Sequence, residues 1–214
     1  MVLLCVCATT SVSAQERAHI TVRTYNTYKV SQKELSDAID AAGDLLASIG
    51  VDVSWRECRI GSGFSERPLD PCSDPLAVDE LLMRIVRAPR GLRDVDELGF
   101  SYVDSVRRTG ALATVFADRV HALTSRGDIR AGTLLGRAMA HEMGHLLLGT
   151  TDHSPDGLMR QRWTVRSRLL DRGPQWQFSS ADAAAIHSAA AQRSAERLIL
   201  ALRAPSVRSA INTP

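Results

Sequence analysis

At 214 residues, 44% hydrophobic and 23% charged, the chain is long and apolar enough to bury a substantial core, and a formal net charge of +2 excludes the strongly basic balance of a nucleic-acid-binding arm. Its arginines are scattered, with Arg84, Arg87, Arg90 and Arg93 reading as a solvated face, and the sequence holds no zinc-finger spacing, glycine-rich phosphate loop or internal repeat. No stretch beyond the N-terminal segment approaches the about 20 apolar residues of a membrane span.

Residues 1–14, "MVLLCVCATTSVSA", form a short apolar run ending in small residues, with Val12 and Ala14 at the minus-three and minus-one positions of a cleavage site before Gln15. This pattern predicts a signal peptide and a secreted or periplasmic protein, although no basic residue follows Met1. Residues 15–214 read as one domain. "HITVRTYNTY" alternates and is rich in β-branched and aromatic residues, which predicts a strand. Ser31 and Glu34 then stand in capping-box register, and Leu35, Ala38, Ile39, Ala42, Leu45, Leu46 and Ile49 fall on one helical face ending at Gly50. "VDVSWREC", "ELLMRIVRA" and "ALATVFADRV" read as three more strands. With Cys5 and Cys7 in the signal segment, Cys58 and Cys72 remain as an even pair around a loop rich in Gly and Pro, which predicts a disulfide in an exported protein. Strands alternating with a long helix predict an α/β (α+β) fold, a twisted, mostly parallel sheet covered by helices.

The next helix carries chemistry. "AGTLLGRAMAHEMGHLLLG" has helical composition, and residues four apart on a helix lie about 40° apart and roughly 6 Å along its axis. His141 and His145 can therefore offer two imidazoles to one metal ion, with Glu142 beside them as a general base. Neutral imidazoles leave a bound zinc ion net positive, so that water ionises near neutral pH and the carboxylate takes its proton as it attacks a carbonyl. An accidental H-E-x-x-H is expected in about one chain in a hundred of this length. Here the motif lies in an apolar helix, where buried histidines need partners, and glycine, histidine and methionine follow closely. Met143 reads as packing; His19, His121 and His187 lack ligand-spaced neighbours, and Trp163 and Trp176 read as cleft wall or core. Residues 179–203 predict a long alanine-rich C-terminal helix.

"HEMGHLLLGTTDH" followed by "SPDGLM" resembles the metzincin clan of zinc metallopeptidases, and more narrowly bacterial metzincin-like proteins with H-E-x-G-H-L-L-L-G and H-S-x-x-G-I-M. The resemblance implies a zincin fold with an edge strand over the cleft, assigned here to "ATVFADRV", a long backing helix and an active-site helix. It implies one catalytic Zn2+, peptide or protein substrates, and zinc-dependent hydrolysis by an endopeptidase with Glu142 as base. Met159 would form the methionine turn, with Pro155 and Gly157 supplying the bend. The pattern departs from strict spacing, which puts glycine at 148 and the third ligand at 151, where this chain has Leu148 and Thr151. From Gly149, three positions on is Asp152 and four is His153; His153 is preferred as third ligand and Asp152 is the alternative. No tyrosine just after Met159 is in place to stabilise an oxyanion. The rival expectation is a zinc-binding protein that keeps the fold with little or no hydrolytic activity and acts as a binding module.

Overall fold

The computed structural model describes residues 16–59, 71–92, 97–125, 129–163 and 173–203. The signal segment expected at 1–14 lies outside them. Strand β1 (Ala18–Asn26) leads through helix α1 (Gln32–Ala47) to β2 (Val51–Cys58), and β3 (Glu80–Val86), β4 (Gly99–Asp104) and β5 (Thr109–Phe116) complete one sheet of order β2-β1-β3-β5-β4. β1 pairs parallel with both β2 and β3, and β3 parallel with β5, whereas β4 runs antiparallel to β5 and ends the sheet. Helices α2 (Ala117–Thr124), α3 (Ala131–Leu148) and α4 (Ser180–Arg203) follow. The mostly parallel α/β sheet expected from the alternating pattern is present.

The central strands are apolar where the core requires it: Ile20 and Val22 on β1, Leu81, Met83 and Ile85 on β3, and Ala113 and Val115 on β5 are all buried. Between them, Arg23 is also buried, and its guanidinium meets the Glu80 carboxylate and the carbonyls of Asp74 and Cys72, so the charge has left water with partners. Cys58 and Cys72 form a disulfide. Helix α1 buries Leu35, Ala38, Ala42 and Leu46, with Ile39, Leu45 and Ile49 packed against the same core. Ser31 caps it by accepting the Glu34 amide at 3.2 Å, while the Glu34 carboxylate meets His121 Nε2 of α2 at 2.6 Å.

Two expectations are corrected. "ALATVFADRV" is not one strand: β5 stops at Phe116 and Ala117 begins α2. Nor is it the sheet edge, because β5 is flanked on both sides, by β3 and by β4. The edge is β4, "GFSYVD", a short strand that begins with glycine and gave no alternating signal.

Helix α3 lies against β4 and β5 and is backed by α1. The two helices meet through a small-residue contact: a Cβ on Gly136 would lie 2.3 Å from the Ala38 carbonyl oxygen and 2.8 Å from the Ala41 Cβ. In an open helix Gly→Ala gains about 1 kcal/mol. Here Gly136→Ala is expected to cost about 1–3 kcal/mol instead, because backbone must move to admit one methyl group. A lowered urea midpoint with unchanged slope checks this; an unchanged or raised midpoint would mean that the helices separate at no cost.

Candidate metal centre

The H-E-x-x-H segment occupies the last turns of α3, where His141, Glu142 and His145 are all buried. His141 Nδ1 lies 2.8 Å from the Leu158 carbonyl oxygen and His145 Nδ1 2.9 Å from the Thr150 carbonyl oxygen. A carbonyl only accepts, so each Nδ1 carries the proton and each Nε2 presents a lone pair. The two Nε2 atoms face each other at 3.1 Å. Two lone pairs at that separation repel unless a cation lies between the rings, and this donor set fits a metal ion bound through Nε2 with each ring oriented by its other nitrogen.

His153 completes the group. Ligand nitrogens of His141, His145 and His153 all lie within 4.8 Å of one another, and the His153 ring is 4.7 Å from that of His145 and 5.3 Å from that of His141 between centroids. Asp152, the alternative, is exposed and turned into its own loop, where its carboxylate accepts the Thr150 hydroxyl at 2.9 Å. The loop absorbs the displaced glycine as follows. Gly149 takes the left-handed conformation (φ 64°) and ends α3, and a side chain there would run into the backbone of Arg108. The chain thus turns one residue later than in the strict pattern, and the Thr150 carbonyl comes to rest on His145.

Met159 is fully buried in a turn closed by Ser154 N–H to Met159 O at 2.9 Å, with Gly157 at φ 73°. Its sulfur packs against α3 at Gly144, where a Cβ would come within 2.5 Å of it. Trp163 donates Nε1–H to the Leu158 carbonyl at 3.2 Å and stands edge-on to His141, and Trp176 is core, meeting Trp163 edge to face and lying under the Arg137 guanidinium. Met143 is core. Elsewhere, His19 bonds Ser54 and His187 the Glu16 carbonyl, away from the cluster.

Three participants gave no sequence signal. Ser101 on β4 places its Oγ 2.8 Å from both the Glu142 carbonyl and Glu142 Oε2. Gly99, on the same strand, leaves room for the Glu142 side chain, since a Cβ there would lie 2.9 Å from Oε1. Asp182, near the start of α4, accepts the Ser154 hydroxyl at 2.7 Å and so ties down the residue after His153. Each arrives from another element, so only the folded topology brings it to the site.

Burial drives His141 down to about 3, helped by the neighbouring imidazoles, and His145 down to about 4, against the pull of the Leu158 and Thr150 carbonyls. His153 is lowered also by burial. Burial pushes Glu142 up to about 8, with the Ser101 hydrogen bond opposing it and Glu97 adding to it. In metal-free protein these groups act on stability in opposite directions. The two depressed imidazoles support the fold fully above their ordinary 6.5, and that support is lost as pH falls through about 4 and then about 3. The raised carboxyl supports the fold below its ordinary 4.5 and ceases to as pH rises through about 8. Chelator-treated protein is therefore expected to melt highest near pH 6.5 and lower at about pH 5 and about pH 8. A melting temperature that still climbs at pH 8 would show that Glu142 is already ionised in the metal-free site.

No protein-family model matches the sequence, and no curated protein matches it in sequence comparison. Solved structures do match. The archaemetzincin of Methanopyrus kandleri superposes with a TM-score of 0.51 at 16% identity, covering 80% of this chain and 95% of its own. A zinc-dependent peptidase from Methanocorpusculum labreanum gives 0.52 at 14% identity, covering 77% and 99%. Metalloproteinase-II from Bacteroides fragilis gives 0.52 at 12% identity, covering 83% of this chain and 55% of its own. The fold is that of metzincin-like zinc peptidases. Within it the three histidines form a group that can hold a metal ion, and they line a cleft of about 560 Å³ together with Gly99, Phe100 and Ser101 of β4 and with Arg160 and Trp163.

Proposed function

We propose that the chain is a zinc-dependent endopeptidase. The observation that carries this reading is the convergence of three histidine nitrogens beside the buried Glu142 in a cleft lined by β4, a strand that pairs on one side only among the described residues. His141, His145 and His153 would hold the ion, which when bound supplies the Lewis acidity that ionises water near neutral pH and polarises a carbonyl. Glu142 takes the proton from the attacking water on a carboxylate oxygen and delivers it to the leaving amine nitrogen as the C–N bond breaks. Ser101 holds that carboxylate through Oε2. The Leu158 and Thr150 carbonyls keep both imidazoles in the tautomer that ligates. A substrate adds to the free edge of β4 as an extended strand, with main-chain hydrogen bonds for affinity and the cleft wall for selection.

The protein works outside the cytosol. The Cys58–Cys72 disulfide supports that reading together with the signal-like residues 1–14, and no helix among the described residues is long and apolar enough to cross a membrane. The test is incubation of zinc-loaded protein with a mixed peptide pool, analysed by mass spectrometry with and without chelator. Internal cleavage that disappears with the chelator and returns with zinc is expected. One bound zinc per chain with no cleavage would favour a binding module built on the same fold.

A further inference from the structure

The wall of the cleft that follows the methionine turn carries charge that hydrolysis itself does not use. Arg160, directly after Met159, lines the cleft with Trp163 and the histidines. Its Nε is buried with no hydrogen-bond partner, and among the described residues the guanidinium meets one carboxylate, that of Asp156, at 3.6 Å. That pair is weak, because Asp156 is 83% exposed and the distance exceeds a hydrogen bond. The enclosed Nε is closed to an incoming acceptor, so the terminal amino groups, held only by that distant carboxylate, are the part of the cation that a ligand in the cleft can engage. The cleft is lined by two acidic groups, Glu97 just before β4 and Glu142 bonded to Ser101 of β4, and by two basic ones, Arg160 and Arg162, that follow the methionine turn. A planar guanidinium on that wall fits a carboxylate through two parallel hydrogen bonds from its terminal amino groups.

From this geometry, and resting on the peptidase reading above, we infer that Arg160 selects substrates that place a carboxylate beside the scissile bond. The carboxylate is either an acidic side chain or the free C-terminus of a short peptide, and the shared chemistry is a planar anion on Arg160.

Three peptide hydroxamates of one length and sequence distinguish these sources. One carries Glu at the variable position with an amidated C-terminus, one Gln with the amide, and one Gln with a free carboxylate. Binding to zinc-loaded protein is measured by calorimetry, which requires no turnover. At least one carboxylate-bearing probe is expected to bind about tenfold or more tightly than the neutral one. Which of the two does so names the source. Arg160→Gln is expected to erase the preference, and Arg160→Lys to retain part of it as a point charge without the fork. Zinc-dependent binding with no preference in the wild type, or a preference that survives Arg160→Gln, overturns the inference and leaves the peptidase reading standing. Binding that is indifferent to zinc overturns both.

Discussion

Glu142→Gln is expected to lower peptide cleavage by roughly 10²–10⁴-fold while leaving zinc content and fold unchanged. The substitution keeps the size of the side chain and its hydrogen bond with Ser101, but an amide cannot take up the proton of the attacking water. Glu142 is not in the histidine group that can hold the metal, so its loss bears on rate and not on occupancy. The measurement is kcat on whichever peptide the wild type cleaves, with metal content by elemental analysis alongside. Equal loss of zinc and activity would place Glu142 among the ligands, and unchanged activity would remove it from the chemistry. The neighbouring strand supplies a graded control. Ser101→Ala should lower kcat less than Glu142→Gln does, since it frees the carboxylate without deleting it.

The second large effect is on metal affinity. His153→Ala is expected to weaken zinc binding by more than the about 10–100-fold that follows loss of an outer-shell partner, whereas Asp152→Ala should leave affinity within that range or untouched. The reason is geometric: a His153 nitrogen lies within 4.8 Å of the other two ligand nitrogens, and the Asp152 carboxylate is occupied by Thr150. Thermal shift gives the same answer by another route. Zinc at about a thousandfold above its Kd stabilises a protein by about 4 kcal/mol, so chelation should lower the melting temperature of the wild type and of Asp152→Ala clearly, and that of His153→Ala much less. The reverse ranking would make Asp152 the third ligand.

The helical face of α1, the strands β1, β2 and β3, and the H-E-x-x-H helix were legible in the sequence because each is a long local pattern: period 3.6 for Leu35 to Leu46, and β-branched runs for Ile20 to Val22. The Cys58–Cys72 pairing followed from counting. The failures are where local pattern and tertiary setting disagree. Val115 and Phe116 continue smoothly into Ala117–Val120, so one apolar segment hides a strand that ends and a helix that begins. β4 gave no signal because an edge strand is half solvated and its residues also serve the cleft: Gly99 gives room both to the Thr114 carbonyl of β5 and to Glu142, and Ser101 bonds Glu142. The contest between Asp152 and His153 was opaque for a related reason. Spacing along the chain counts residues, while coordination depends on where a left-handed Gly149 releases the helix.

The orientation of the first two histidines rests on main-chain carbonyls, Leu158 for His141 and Thr150 for His145. A carbonyl cannot be deleted by point mutation, so neither tautomer depends directly on which side chain stands at 150 or 158; those side chains have other duties, Leu158 in the core and Thr150 on Asp152. The vulnerability moves to the hinges that aim the carbonyls, Gly149 and Gly157, both at positive φ. Relatives of this chain should therefore share those two glycines together with the histidines and Glu142.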